Sequence, residues 1–288
     1  MIQKKQDLTL DGLTGPLAAV GYGDSTNPPV FALHGWLDNA ASFAPLSTNL
    51  PDYYIVALDF AGHGQSAHRP QGAVYHMLDH IADVVHAVES LGWESFNLMG
   101  HSLGAGVAIV YAAAFTEKVS KLVLIDGVGP ISANADSATD RLRKSVDFGL
   151  ERSQKTMRSP RNYETWDKLI EARCLASSLE RSSAELLVRR GAEEINEQIL
   201  LRADSRLKQP SPMYMSEDVV RHFISRIDAP TQLFLAREGR VIKRSMTDGR
   251  VAEFQNVEVI ECDGQHHVHM DQPEILAGDI VAFLSRLN

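Results

Sequence analysis

Hydrophobic residues arrive along this chain in two rhythms. Short runs at positions 30–33, 54–58, 96–99, 121–125, 232–236 and 257–260 are apolar at nearly every position, most of them closed by Gly, Asp or His. A strand that is apolar on both faces is buried on both, so these runs predict a parallel sheet covered by helices on each side. Longer stretches between them carry the second rhythm. From 75 to 91, Leu78, Ile81, Ala82, Val85 and Val88 recur at helical spacing, and Gly92 stands where that helix would stop. Residues 6–23, two weakly alternating runs around Gly12 and Gly15, predict an entry hairpin.

The strand rhythm stops between 131 and 228. No strand run is evident there, and the segment holds 17 basic and 16 acidic residues, over half of the charged residues in the chain. The remainder carries 11 basic against 21 acidic, so the net negative charge resides in the sheet-forming part. The expected organisation is an α/β core of residues 1–130 and 227–288 with a helical insert, 131–226, placed before the last two strands, its charges coating solvated helix faces. Pro210 and Pro212 mark an irregular link within the insert, and Pro230 marks the return to sheet.

Composition narrows the function classes. At 288 residues, with 44% hydrophobic and 23% charged, the chain has ordinary globular usage and needs no disulfide or metal staple to fold. Cys174 and Cys262 show no ligand spacing and are expected to be plain thiols. A formal charge of −9 has the wrong sign for a phosphate-backbone binder, so no nucleic-acid partner is expected. No apolar run approaches the roughly 18 residues of a membrane span, and the polar start carries no apolar leader, so a cytoplasmic protein with no membrane partner is expected.

The chemistry concentrates at two places. Gly100-His101-Ser102-Leu103-Gly104 follows the run at 96–99 and leads into a stretch of small and apolar residues at 105–115. A serine on so tight a strand-to-helix turn is tolerated because the flanking glycines have no Cβ, and its hydroxyl is pushed out above the sheet. The Leu103 amide, at the helix start, is then aimed at an oxygen that becomes negative. An activated serine needs a base. Residues 263–273, read as a loop, supply one: His266 is the expected base, His267 the runner-up, and His269 is expected to pack or cap. The three histidines invite a metal, but no HExxH-like pattern accompanies them, so neither metal nor cofactor is expected.

GHSLG around Ser102, LHGWLDNA at 33–40, DFAGHGQS at 59–66 and HHVHMDQP at 266–273 together resemble the α/β-hydrolase superfamily, most of all its serine hydrolase-like group, over essentially the whole chain. The resemblance implies an open, mostly parallel sheet of about eight strands, with the active site at their C-terminal ends beneath a cap formed by the insert. It implies a second oxyanion donor after His34-Gly35, the Trp36 amide, beside that of Leu103. It also implies that DFAGHGQS is a structural turn in which Asp59 holds backbone amides and His63 is no catalyst. His76, His80 and His86 are expected on the 75–91 helix, at the surface or partly buried. Serine at the nucleophile position argues against the dehalogenase and epoxide-hydrolase branches, which use aspartate there.

One departure from the family pattern stands out. The usual acid follows the next-to-last strand, and Gly239 occupies the position where it would align. Two carboxylates remain: Asp126, at the end of the 121–125 run, preferred because a strand end holds its side chain rigidly, and Glu238 as the alternative. The expected activity is hydrolysis of a carboxylic ester or related acyl bond of a small-molecule substrate through a Ser102, His266, Asp126 triad and an acyl-enzyme. A thioesterase, an acyltransferase or a carbon-carbon bond hydrolase would use the same residues. The missing aspartate at Gly239 also leaves open a ligand-binding member that turns over weakly. A homodimer is compatible with the sequence.

Overall fold

The computed structural model of the protein describes residues 4–154, 162–239 and 244–287. The chain enters through an antiparallel hairpin, β1 (Lys5–Leu10) and β2 (Leu17–Tyr22). It continues through β3 (Pro29–Leu33), a short helix α1 (Ala44–Ser47), β4 (Tyr54–Leu58), α2 (Asp79–Leu91), β5 (Phe96–His101), α3 (Leu103–Ala114) and β6 (Val119–Ile125). An insert follows, with helices α4 (Ala138–Gln154), α5 (Trp166–Ser177), α6 (Arg181–Gly191) and α7 (Glu217–Ser225), and strands β7 (Asn162–Tyr163), β8 (Ala192–Ile195) and β9 (Gln198–Leu201). The chain then returns through β10 (Thr231–Glu238), α8 (Arg244–Val251), β11 (Val257–Gln265), α9 (Val268–Asp271) and α10 (Pro273–Leu284).

Eight strands form one sheet in the order β1-β2-β4-β3-β5-β6-β10-β11, parallel from β4 onward. The doubly apolar runs explain the layers. On β3, Phe31 and Leu33 pack with residues of α2, α3 and α7, while Val30 and Ala32 pack on the other face with α1 and α10. Every strand of this sheet except the edge strand β1 thus feeds two hydrophobic cores, as the apolar runs predict. All the parallel strands end on the same side, which gathers the loops after β3, β5, β6 and β11 into one region. Arg250, fully buried on α8, donates to the carbonyls of Val128 (2.8 Å) and Pro130 (2.9 Å) and so pins the exit from β6 into the insert.

Three expectations are corrected. The insert contains a small antiparallel sheet, β7-β9-β8. Its hairpin turns through Asn196 (φ 50) and Glu197 (φ 62), a left-handed pair that usually advertises itself with glycine, and Glu at the second position concealed it. The helix expected from 75 begins at Asp79, so His76 precedes it, and His80 is buried against Phe60 rather than at the surface or partly buried. The loop expected at 263–273 is strand as far as Gln265 and helix from Val268, leaving His266 and His267 alone at the turn.

Candidate active site

Ser102 sits between β5 and α3 with φ 53 and ψ −112, a backbone conformation that a side-chain-bearing residue rarely adopts. Its surroundings leave it no alternative. Its N–H donates to the Ile125 carbonyl (3.1 Å), and a Cβ on Gly104 would lie 2.0 Å from the Leu33 carbonyl oxygen, one on Gly100 2.5 Å from that of Gly104. Only glycines on either side allow β3, β5 and α3 to approach this closely. The outcome is an Oγ 2.9 Å from His266 Nε2.

His266 in turn contacts Asp126 through Nδ1. A carboxylate can only accept, so Nδ1 carries the proton and Nε2 presents its lone pair to the Ser102 hydroxyl. Asp126 is buried at the end of β6, also with positive φ (43). Its backbone N–H donates to Phe234 O (2.9 Å), and its Oδ1 accepts from the Ala236 amide (3.3 Å). Gly239 now has a physical explanation: a Cβ there would lie 2.4 Å from Asp126 Oδ2. The glycine at the family's usual acid position makes room for the carboxylate that has come from β6. Glu238 ends β10 exposed and bonds Gln265, not His266.

The turn after β3 is equally constrained. His34 donates from Nδ1 to the Gly35 carbonyl (2.7 Å) and accepts from the Phe60 amide at Nε2 (3.1 Å). Burial pushes the His34 pKa down to about 4, keeping the ring neutral. The Asp38 N–H closes the turn onto the same Gly35 carbonyl (3.1 Å), with Leu37 in the left-handed region (φ 62). In a trans peptide the Gly35 C=O and the Trp36 N–H point in opposite directions, so fixing the carbonyl fixes the amide. Leu103 is the first residue of α3, where an N–H has no acceptor within the helix. The Trp36 ring itself is half exposed and donates from Nε1 to Leu207 O (3.2 Å) in the insert.

Sequence reasoning missed a buried group behind His266. Ligand atoms of Asp38, His101 and His267, one from each, lie within 4.8 Å of one another, the one set of at least three His, Cys, Asp or Glu residues among the described residues close enough to hold a metal ion. His267 bonds Asp38 (3.2 Å) instead of Ser102, and Arg173 of α5 is ion-paired with the same carboxylate. A divalent cation there would sit beside that guanidinium, which works against occupancy. His101 donates from Nε2 to the His266 carbonyl (2.9 Å). His269, fully buried on α9, bonds Ser42 (2.7 Å). The hint in the sequence was that Asp38, His101 and His267 all lie inside the quoted motifs.

The other expected residues fall as follows. Asp59 accepts from the amides of Ala40 (2.6 Å) and Gln65 (2.8 Å), and His63 is buried away from Ser102 with a pKa pushed by burial down to about 3. Cys262 is buried and Cys174 partly so, both as free thiols. Among the described residues no helix is long and apolar enough to cross a membrane.

Comparison with known proteins places the fold in a family. A profile of the alpha/beta hydrolase fold family matches residues 28–273. A serine hydrolase-like protein of Danio rerio is 32% identical over 94% of this chain and 85% of its own length. Serine hydrolase-like protein 2 of Homo sapiens is 31% identical over 94% of this chain and 91% of its own. Among solved structures, a hypothetical protein of Pseudomonas aeruginosa superposes with a TM-score of 0.91 at 36% identity, covering 98% of this chain and 100% of that one. The thioesterase domain from the curacin biosynthetic pathway gives 0.83 at 20% identity, over 96% of this chain and 99% of its own, a likeness of fold alone. With the eight-stranded sheet, the strained serine turn and a match across most of its length, the chain belongs to the alpha/beta hydrolase fold family.

Proposed function

We propose that the protein is a serine hydrolase that cleaves carboxylic ester or related acyl bonds. The observation that carries this is the unbroken chain from Ser102 Oγ to His266 Nε2 and from His266 Nδ1 to Asp126. Ser102 Oγ attacks the carbonyl carbon as His266 Nε2 takes its proton, and the oxygen that becomes negative is held by the amides of Trp36 and Leu103. Collapse expels the leaving alcohol, which receives that proton from His266. Water, deprotonated by the same nitrogen, then attacks the acyl-enzyme and releases the acid with Ser102 restored. Asp126 keeps the imidazole in the tautomer this requires, and the reaction so written uses no cofactor. The insert, 131–226, serves as the cap: Arg173, Leu187, Arg190 and Leu207 all reach core residues from it.

The test is hydrolysis of p-nitrophenyl esters of increasing acyl length, with an acyl thioester alongside, in wild type and Ser102→Ala. Removing the nucleophile should lower kcat by about four to six orders of magnitude, and a fluorophosphonate should label Ser102 in the folded protein. Rates insensitive to Ser102→Ala, or no labelling, would remove the reading.

A further inference from the structure

The buried group behind His266 is unused by the reaction just written, and it joins parts that the reaction needs. We infer that Arg173, reaching in from the insert, is a positioning residue that sets the oxyanion turn and the His266 loop relative to each other by holding Asp38. The inference rests on the hydrolase reading above. Asp38 is the junction. Its backbone N–H closes the turn that carries Trp36 (3.1 Å to Gly35 O), its Oδ2 accepts from His267, the residue after the base (3.2 Å), and its Oδ1 meets the Arg173 guanidinium.

The carboxylate depends on that guanidinium. Asp38 is 1% exposed, and a buried carboxylate needs a counter-cation. His101 does not supply one. Its Nε2 proton is committed to the His266 carbonyl, which can only accept, so its Nδ1 faces Asp38 Oδ2 across 3.7 Å as a bare lone pair. Burial keeps this imidazole neutral, its pKa pushed down to about 4. Arg173 is therefore the one permanent positive charge paired with Asp38 among the described residues. Without it the carboxylate must protonate, draw in water or transfer its demand to an imidazole, and each of these shifts His267 and the base next to it. The insert grips the same loop a second time, since Met270 is buried in the insert's own core with Leu169 and Leu187. Seating of the insert and alignment of the catalytic groups are thus one event.

Arg173→Met and Arg173→Lys, compared with wild type on p-nitrophenyl acetate and in the rate of fluorophosphonate labelling, test this. The methionine variant should lose about 30-fold or more in kcat with KM within about twofold, because misalignment acts on the transition state, and labelling should slow in parallel. Lysine, which keeps the charge but not the forked geometry, should lose only about 3- to 10-fold. Asp38→Asn should resemble Arg173→Met, and the double variant should be no worse than either single. A methionine variant with native circular dichroism and kcat within about twofold of wild type overturns the inference, as do losses that multiply in the double. If Arg173→Met does not fold, Arg173→Lys decides alone: a loss confined to kcat supports the role, and an unchanged kcat ends it. Ser102→Ala separates the two readings. Activity surviving in Ser102→Ala sinks the hydrolase reading itself, whereas a dead Ser102→Ala beside a fully active Arg173→Met sinks only the role of Arg173.

Discussion

Ser102, Asp126 and His266 stand at the ends of β5, β6 and β11, whereas the insert joins the core both by packing, through α7 and Met270, and by long charged side chains. On the sheet side, backbone hydrogen bonds and glycine contacts leave each residue essentially one conformation, to the point of forcing positive φ on Ser102 and Asp126. On the insert side the polar anchors are Arg173 to Asp38, Arg190 to Asp59 and Arg206 to the carbonyls of Arg69, Pro70 and Ala73, each a long cationic side chain on an oxygen acceptor. Backbone geometry and close packing set Ser102, Asp126 and His266, and ion pairs add to the packing that holds the insert. On the hydrolase reading proposed above, a rigid floor under a roof held partly by ion pairs lets substrate range change without disturbing the chemistry.

The largest effect that would break this contrast belongs to the floor. Asp126→Asn should lower kcat by about 10⁴-fold with the fold intact, because the amide can offer its NH₂ to His266 Nδ1 and turn the ring to the wrong tautomer. Glu238→Gln, on an exposed residue bonded to Gln265, should leave kcat within about twofold of wild type. Steady-state kinetics on both variants decide which carboxylate serves, and the reverse pattern would transfer the role to Glu238.

The next effect tests whether the roof's anchors matter to stability. Arg190 bonds Asp59 through Nε at 2.9 Å with both side chains buried, and Asp59 is 0% exposed. Arg190→Met should therefore destabilise by about 3–5 kcal/mol, the cost of leaving a buried carboxylate unpaired. Denaturant unfolding measures it. A loss below about 1 kcal/mol would mean that Asp59 is satisfied by its backbone amides alone, and that the insert is held by packing.

How much of this was legible in the sequence follows the same division. The strand runs, the hairpin and the meeting of Ser102, His266 and Asp126 could be anticipated because each depends on local pattern: unbroken apolarity, flanking glycines, a carboxylate at a strand end. The structure adds why Gly239 is a glycine, which required knowing that β10 lies beside β6. The insert's hairpin and the Asp38 group were hidden for different reasons. Glu197 stands where glycine normally announces the turn, and the Arg173–Asp38 pair joins residues 135 positions apart by an ion pair that leaves no periodic trace. His80 was misjudged because its helix starts later than the apolar spacing suggested and turns the ring toward Phe60.

Acidification should expose the floor before it touches the roof. Burial lowers the pKa of His34 and His101 to about 4 and of His63 to about 3, and holds His80 and His269 well below the usual histidine value. Each is neutral when folded but takes a proton near pH 6.5 when unfolded, so stability is complete above about pH 6.5 and drains away as pH falls toward the folded values. The slope is about 1.4 kcal/mol per histidine per pH unit within that window. Thermal melts between pH 7.5 and 4.5 should show a midpoint that is flat above about 6.5 and falls below it. A flat profile to pH 5 would mean that these rings are protonated and paired in the fold.

The smallest effect sharpens the comparison by separating charge from burial. Arg189, next in sequence to Arg190, pairs with Glu185 one helical turn away at 3.0 Å, but the two side chains are 51% and 45% exposed. Water already solvates both, and ordering them consumes most of the Coulomb gain. Glu185→Gln leaves the Arg189 guanidinium stacked over Trp166 at 4.6 Å, so it removes the ion pair and little else. The change in unfolding free energy should lie within about 0.5 kcal/mol and shrink with added salt. A loss approaching that of Arg190→Met would show that the insert is stabilised by its whole charged surface, in which case neighbouring arginines on one helix differ by degree and not by kind.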